Sequence, residues 1–181
     1  MIIFVEQINT MNIQVFDTVA GQDVSAQIEK AVHKDMPLRK QGWQFTWRSL
    51  YKTEGADFYK LVLTDTPADV QGILMLTLMN DEMMYMNNVE IAPHNYGSEG
   101  RYEHVAGCLI AYACLQSFDL GKNHYKGFLT FESKTALIPL YQNKYGAERA
   151  LGQRMFIPKE KGIELIAKYL GEDTSQIIPF Q

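Results

Sequence analysis

YMNNVEIAPHNYGSEGRYEHVAGCLIAYACLQSFDL, residues 85–120, reads as strand, loop and helix in that order, and this reading decides the fold. The strand ends at Pro93, a loop bearing Gly97 and Gly100 follows, and a strongly apolar helix is predicted to begin near Arg101. At helical spacing Val105, Leu109, Tyr112 and Gln116 form one row and Ala106, Ile110, Ala113 and Ser117 the next, so the helix is expected to be largely buried with its amino end fixed. Its first free N–H groups and positive dipole end then face whatever lies beyond the strand, an arrangement that can hold a phosphate.

Outward from this stretch, residues 58–64 and 70–79 are rich in Leu, Val, Ile and Tyr and flank the turn-like Asp65-Thr66-Pro67-Ala68-Asp69, which predicts an antiparallel hairpin. Asn80-Asp81 supplies the next turn and residues 83–91 the last strand of a meander. Towards the amino end, Val24, Ile28, Ala31 and Val32, with Asp23 as N-cap and Pro37 beyond, predict a helix over residues 23–34. Trp43, Phe45 and Trp47 alternate with polar residues and predict a strand. Beyond Gly121 come an apolar run at residues 125–131, a helix carrying residues 140–147 with Pro139 in its first turn, a short strand at 155–157 and a closing helix at 161–170. Strands in a row, then helix, strand, helix and strand, give a mixed α/β sheet with helices packed against it.

A chain of 181 residues with 46% hydrophobic residues and no linker-like stretch reads as one domain over residues 1–181. A net charge of −4 and scattered basic residues argue against a nucleic-acid surface. No apolar run approaches the roughly 18 residues of a membrane span, and Met1-Ile2-Ile3-Phe4-Val5, followed by Glu6, is too short for a signal peptide, so a cytoplasmic protein is expected. Cys108 and Cys114, six apart on one helix, point in different directions and read as core residues. His33, His94, His104 and His124 have no metal-ligand spacing, and no metal is expected. Met83, Met84 and Met86 read as core, with an apolar acceptor pocket as the alternative.

The passage Arg101-Tyr-Glu-His104-Val-Ala106 resembles the pyrophosphate-binding signature Gln/Arg-x-x-Gly-x-Gly/Ala of the GNAT superfamily of acyl-CoA-dependent N-acyltransferases. His104 stands where the first glycine belongs, and the loop from Pro93 to Arg101 is longer than the family's. Leu140-Tyr141-Gln-Asn-Lys-Tyr145-Gly146-Ala147 resembles the Leu-Tyr-Glu-Lys-x-Gly-Phe element that closes the acyl-CoA site in the same superfamily. In the family's order, the two elements extend the resemblance over roughly residues 69–157, and the first 68 residues carry no matching motif.

The resemblance implies a GNAT-like α/β fold, a mixed and mostly antiparallel sheet flanked by helices on both faces, and transfer of an acetyl or other acyl group from acyl-CoA to a primary amine. Backbone N–H groups of His104, Val105, Ala106 and Gly107 are expected at the diphosphate, with Arg101 adding a charge-assisted contact. By analogy with relatives the backbone of Ile91 and Ala92 pairs with the pantetheine arm, Lys134 stands where relatives often place a cofactor-binding Asn, Tyr141 protonates the departing thiolate, and Glu90 serves as base, directly or through water. A catalytically inactive GNAT-fold binding or interaction module is the alternative, favoured by His104 and the long loop.

Overall fold

The computed structural model describes residues 10–171; the Met1–Val5 segment weighed above lies outside them. Among the described residues nine strands form one sheet in the order β6-β1-β2-β3-β4-β5-β7-β9-β8, and every neighbouring pair is antiparallel except β5 and β7. In chain order they are β1 Met11–Asp17, β2 Gln22–Lys30, β3 Ala56–Leu63, β4 Thr66–Met79, β5 Met83–Ile91, β6 Tyr102–Glu103, β7 Leu129–Glu132, β8 Glu148–Arg149 and β9 Arg154–Ile157. The helices are α1 Trp47–Leu50, α2 Val105–Leu120, α3 Ile138–Tyr145 and α4 Lys159–Leu170.

Side-chain alternation along the central strands divides the core in two. Tyr59, Leu61, Leu74 and Leu76 face α2 and α4, whereas Phe58, Ile73 and Met75 face a second cluster built on Trp43, Trp47 and Met36. Helix α2 is apolar on nearly all sides, with Leu109, Ile110 and Ala113 essentially inaccessible, as expected of a helix sunk between sheet and α4. Gly72 lets it approach: a Cβ there would lie 2.7 Å from Leu109 Cδ1. Each large aliphatic side chain buried this way stabilises the fold by about 1.5–3 kcal/mol. Among the described residues no helix is long and apolar enough to cross a membrane.

The meander, the Asn80-Asp81 turn with both residues at positive φ, α3 with Pro139 in its first turn, and the late strand and closing helix stand as the sequence predicts. Four predicted features differ. Residues 23–34 form β2 and a 3-10 turn rather than a helix, because Val24, Ala26 and Ile28 also alternate, and as a strand they fill the gap between β1 and β3. Trp43 to Trp47 form no strand; both indoles turn into the second core cluster, and α1 starts at Trp47. Helix α2 begins at Val105, four residues after Arg101, because Tyr102 and Glu103 pair with Asp17 and Phe16. The hairpin turn shrinks to Thr64-Asp65, and residues 66–69 extend β4 across register shifts near Val62. Met84 and Met86 are core residues, and Cys108 and Cys114 are buried free thiols that burial pushes up to about 12.

Candidate functional site

Strand β5 carries one extra residue. Met75 pairs with Asn88 and Leu76 with Met86, so Asn87 bulges and the strand's facing pattern shifts by one. Before the bulge Met84 and Met86 face α2; after it Val89 and Ile91 do, and Glu90 points to the opposite face. On β5 the strand β7 meets only Met84, Tyr85 and Met86, so beyond the bulge β5 runs on with its second edge open among the described residues.

Backbone alternation fixes what that edge offers. The Ala92 N–H donates to Gln71 O at 2.8 Å, which makes Gln71–Ala92 a hydrogen-bonded pair and Gly72–Ile91 a non-bonded one. The N–H and C=O groups of Ile91 and, two residues back, Val89 therefore face away from β4, into a cavity of about 540 Å³ between β5 and β7. The pairing expected of Ile91 is geometrically open, whereas Ala92 has its N–H occupied and lines a different groove. Val89 has the same outward-facing backbone groups as Ile91.

Ala106 and Ile110 of α2 form the cavity floor, and Tyr141 and Tyr145, one turn apart on α3, line its far side with Phe131. Gly146 ends α3 in the left-handed conformation at φ 66°, with its N–H on Tyr141 O, which fixes the last turn. The Tyr141 ring packs at 4.8 Å from Phe131 and 5.9 Å from Tyr145. Burial pushes its hydroxyl above the usual phenol range, so it is protonated at neutral pH. Lys134 is exposed at the β7 rim, with no ion pair among the described residues.

Glu90 lines the cavity but is not a solvated strand-end carboxylate. Its Oε2 accepts from the Gln44 N–H at 2.7 Å and the Tyr96 hydroxyl at 3.0 Å, and its Oε1 from the Phe45 N–H at 3.1 Å and the Trp47 indole N–H at 3.0 Å. Four donors fill the four lone-pair positions of the carboxylate, leaving none for a substrate proton, which removes the direct-base role expected of it. Burial, with Glu90's hydrogen bond and charge, in turn raises Tyr96 to about 12. The other carboxylate on the wall is Glu132, exposed and 3.5 Å from Arg154.

The side chains of Arg101 and His104 do not reach this cavity. Arg101 donates through Nε and Nη2 to the two oxygens of Asp17, both at 3.0 Å, and so fastens β6 to β1. Its hydrogen bond, followed by the Ala20 N–H, holds the Asp17 carboxyl down at about 2. Because the folded pKa lies below the unfolded one, this stabilisation is full above about pH 4 and lost as the pH falls towards 2. Melting curves between pH 5 and 2 are expected to show a steeper loss in wild type than in Asp17→Asn; parallel losses would remove the pair from the acid response.

His104 caps α2 at φ 75°, a left-handed conformation that explains why a glycine would suit the position. Its ring lies 6.0 Å from Tyr169, on a groove formed with β1, β2 and the end of α4. The first N–H groups of the helix, including those of Val105, Ala106 and Gly107, have no intrahelical partner, and His104 makes no side-chain cap among the described residues. The Val105 side chain is buried beneath Gly72, and Gly107 lies against Tyr169. His104→Gly is expected to stabilise the protein by about 1 kcal/mol and raise Tm by roughly 2–4 °C. A lower Tm would mean that the contact with Tyr169 outweighs the strain.

Sequence reasoning missed Val89, Tyr96, Tyr145 and the 44–45 loop. Two signals were present: Tyr145 lies one helical turn from Tyr141, and the polar pair Asn87-Asn88 breaks the alternation of an otherwise apolar strand.

No family model matches the chain, and no curated protein matches its sequence. Solved structures do match its fold. The KacTA–DNA complex superposes with a TM-score of 0.58 at 14% identity, covering 79% of this chain and 99% of that one. AtaTR bound with AcCoA gives 0.53 at 16%, covering 78% and 98%. A mutant of the spermidine N-acetyltransferase SpeG from Vibrio cholerae gives 0.51 at 15%, covering 76% and 95%. At such identities the likeness is one of fold, and the chain has the GNAT fold expected of it, with a mostly antiparallel sheet. DNA is present in the KacTA structure and in one of AtaT-AtaR, so the exclusion of nucleic acid drawn from net charge does not extend to the fold.

Proposed function

We propose that this chain is an acyl-CoA-dependent N-acyltransferase acting on a primary amine, with the β5–β7 cavity as its acyl-CoA site. The observation that carries the reading is the open edge of β5 beyond the Asn87 bulge, within a GNAT fold. An extended chain of amides laid along it meets the N–H and C=O groups of Val89 and Ile91 as a further strand would. The diphosphate then lies at the amino end of α2, where the N–H groups of His104, Val105, Ala106 and Gly107 and the helix dipole favour an anion. Lys134 on the rim adds a cation, and Arg101 contributes through its staple to Asp17 rather than through a phosphate.

The amine nitrogen attacks the thioester carbon, the C–N bond forms, the C–S bond breaks and its electron pair leaves on sulfur. Tyr141, neutral and without a protein hydrogen-bond partner among the described residues, supplies the hydrogen bond and proton to that sulfur. The surplus proton of the amine goes to solvent or to Glu132, exposed and paired only with Arg154 among the described residues where Glu90 is filled, and the Tyr141 phenolate regains its proton from solvent. That saturation of Glu90 is also what favours a second reading, a GNAT-fold module that binds without turning over.

Calorimetry and thermal shift test the binding step. At about a hundred times its dissociation constant acetyl-CoA is expected to add roughly 2.7 kcal/mol to stability. With His104 turned towards Tyr169, His104→Gly should bind about as tightly as wild type between about pH 6 and 8. Absence of both heat and thermal shift at high CoA concentration would overturn the proposal. Binding without acyl transfer to any primary amine would leave the module reading standing.

A further inference from the structure

Behind the wall that closes the cavity lies a second groove, of about 910 Å³, and the same short segments separate the two. Trp43 and Ala92 line the groove, whereas their neighbours Gln44 and Ile91 line the cavity. A polar network at the groove's inner end has its hydrogens fixed by one backbone group. The Tyr102 N–H donates to Asn95 Oδ1 at 3.0 Å, which orients the Asn95 amide. Asn95 Nδ2 then donates to Gln71 Oε1 at 3.1 Å, which orients Gln71. The His94 Nε2 atom, 2.7 Å from the same Oε1, must carry the proton and donate.

What remains is the Gln71 Nε2 amide. Gln71 is only 3% exposed, yet its Nε2 has no hydrogen-bond partner among the described residues and is not sealed from the groove that the residue lines. Two N–H groups that meet the groove rather than a protein acceptor are available to an acceptor placed there. The groove's charges indicate which. Asp35 is committed to Lys60 at 2.9 Å and to the Val32 N–H, and Arg101 to Asp17. Lys34 and Arg48, both exposed and without an ion pair among the described residues, outnumber the remaining Asp69.

We propose that this groove binds an oxyanion, a carboxylate or phosphate group of a small molecule, on the Gln71 side-chain amide with Lys34 and Arg48 as its cationic rim. The site stands apart from the acyl-CoA reading and does not depend on it.

Side-chain amide NMR of the full chain, titrated separately with sodium phosphate and sodium acetate at constant ionic strength, tests it. The Gln71 NH₂ signals are expected to shift saturably with at least one of the two, and the tighter identifies the ligand class. Gln71→Glu keeps the acceptor oxygen for Asn95 and His94 but replaces the donor by a negative charge, so saturation, followed in that variant on the NH₂ signals of Asn95, should vanish. Arg48→Ala, at an exposed position, leaves the core intact and should weaken binding by roughly tenfold, as loss of a charged contact does. Shifts that stay linear in wild type, or saturation unchanged in either variant, would overturn the proposal.

Discussion

Glu90→Ala is expected to lower stability by about 3–5 kcal/mol and Tm by roughly 10 °C or more, because it strips four donors of one buried charged acceptor. Each hydrogen bond to a charged group contributes about 1.5–3 kcal/mol, and the Trp47 indole, wholly buried, would be left without its partner. The loss is below the sum of the four because water can reach the Gln44 and Tyr96 groups from the cavity side. Amide exchange at residues 44–47 should quicken far more than exchange in α2. Glu90→Gln separates clamp from base: a base would lose turnover and keep its stability, whereas a clamp loses stability, since one oxygen becomes an NH₂ facing donors. A Glu90→Gln protein that melts with wild type would refute the clamp.

The second expectation is the converse, a change that leaves the fold alone. Tyr141→Phe removes a hydroxyl and keeps the ring against Phe131, so stability should stay within about 0.5 kcal/mol of wild type. Acyl-CoA affinity should hold as well. Turnover, followed by thiol release with a panel of primary amines, should fall about 100-fold through kcat alone. Equal kcat in both proteins would take Tyr141 out of the mechanism; a raised KM for acyl-CoA with kcat intact would make it a binding residue.

How much of this was legible in the sequence follows from where the information sits. The strand, loop and helix of residues 85–120 and the Pro139-led helix were readable because periodicity, Pro and Gly act locally. Residues 23–34 misled because Val24 and Ile28 satisfy both periods, and the strand wins only through partners on both sides. The engagement of Glu90 could not be read at all: three of its donors lie 43 to 46 positions away, in a segment whose own alternation suggested a strand. Arg101 matched a motif by type, and its carboxylate partner lies 84 positions upstream.

The bulge at Asn87 acts on β5 as an inserted letter acts on a reading frame. Upstream of it the even-numbered side chains are spelled for oil, Met84 and Met86; downstream the odd-numbered ones are, Val89 and Ile91. Were Asn87 drawn into the ladder and the bulge ironed out, Glu90 would come opposite Gly72 and turn into the apolar layer beneath α2, leaving the 44–47 loop with nothing to hold. The identity of residue 87 therefore matters less than its standing outside the ladder, and the strand's tolerance to substitution changes phase at that single position.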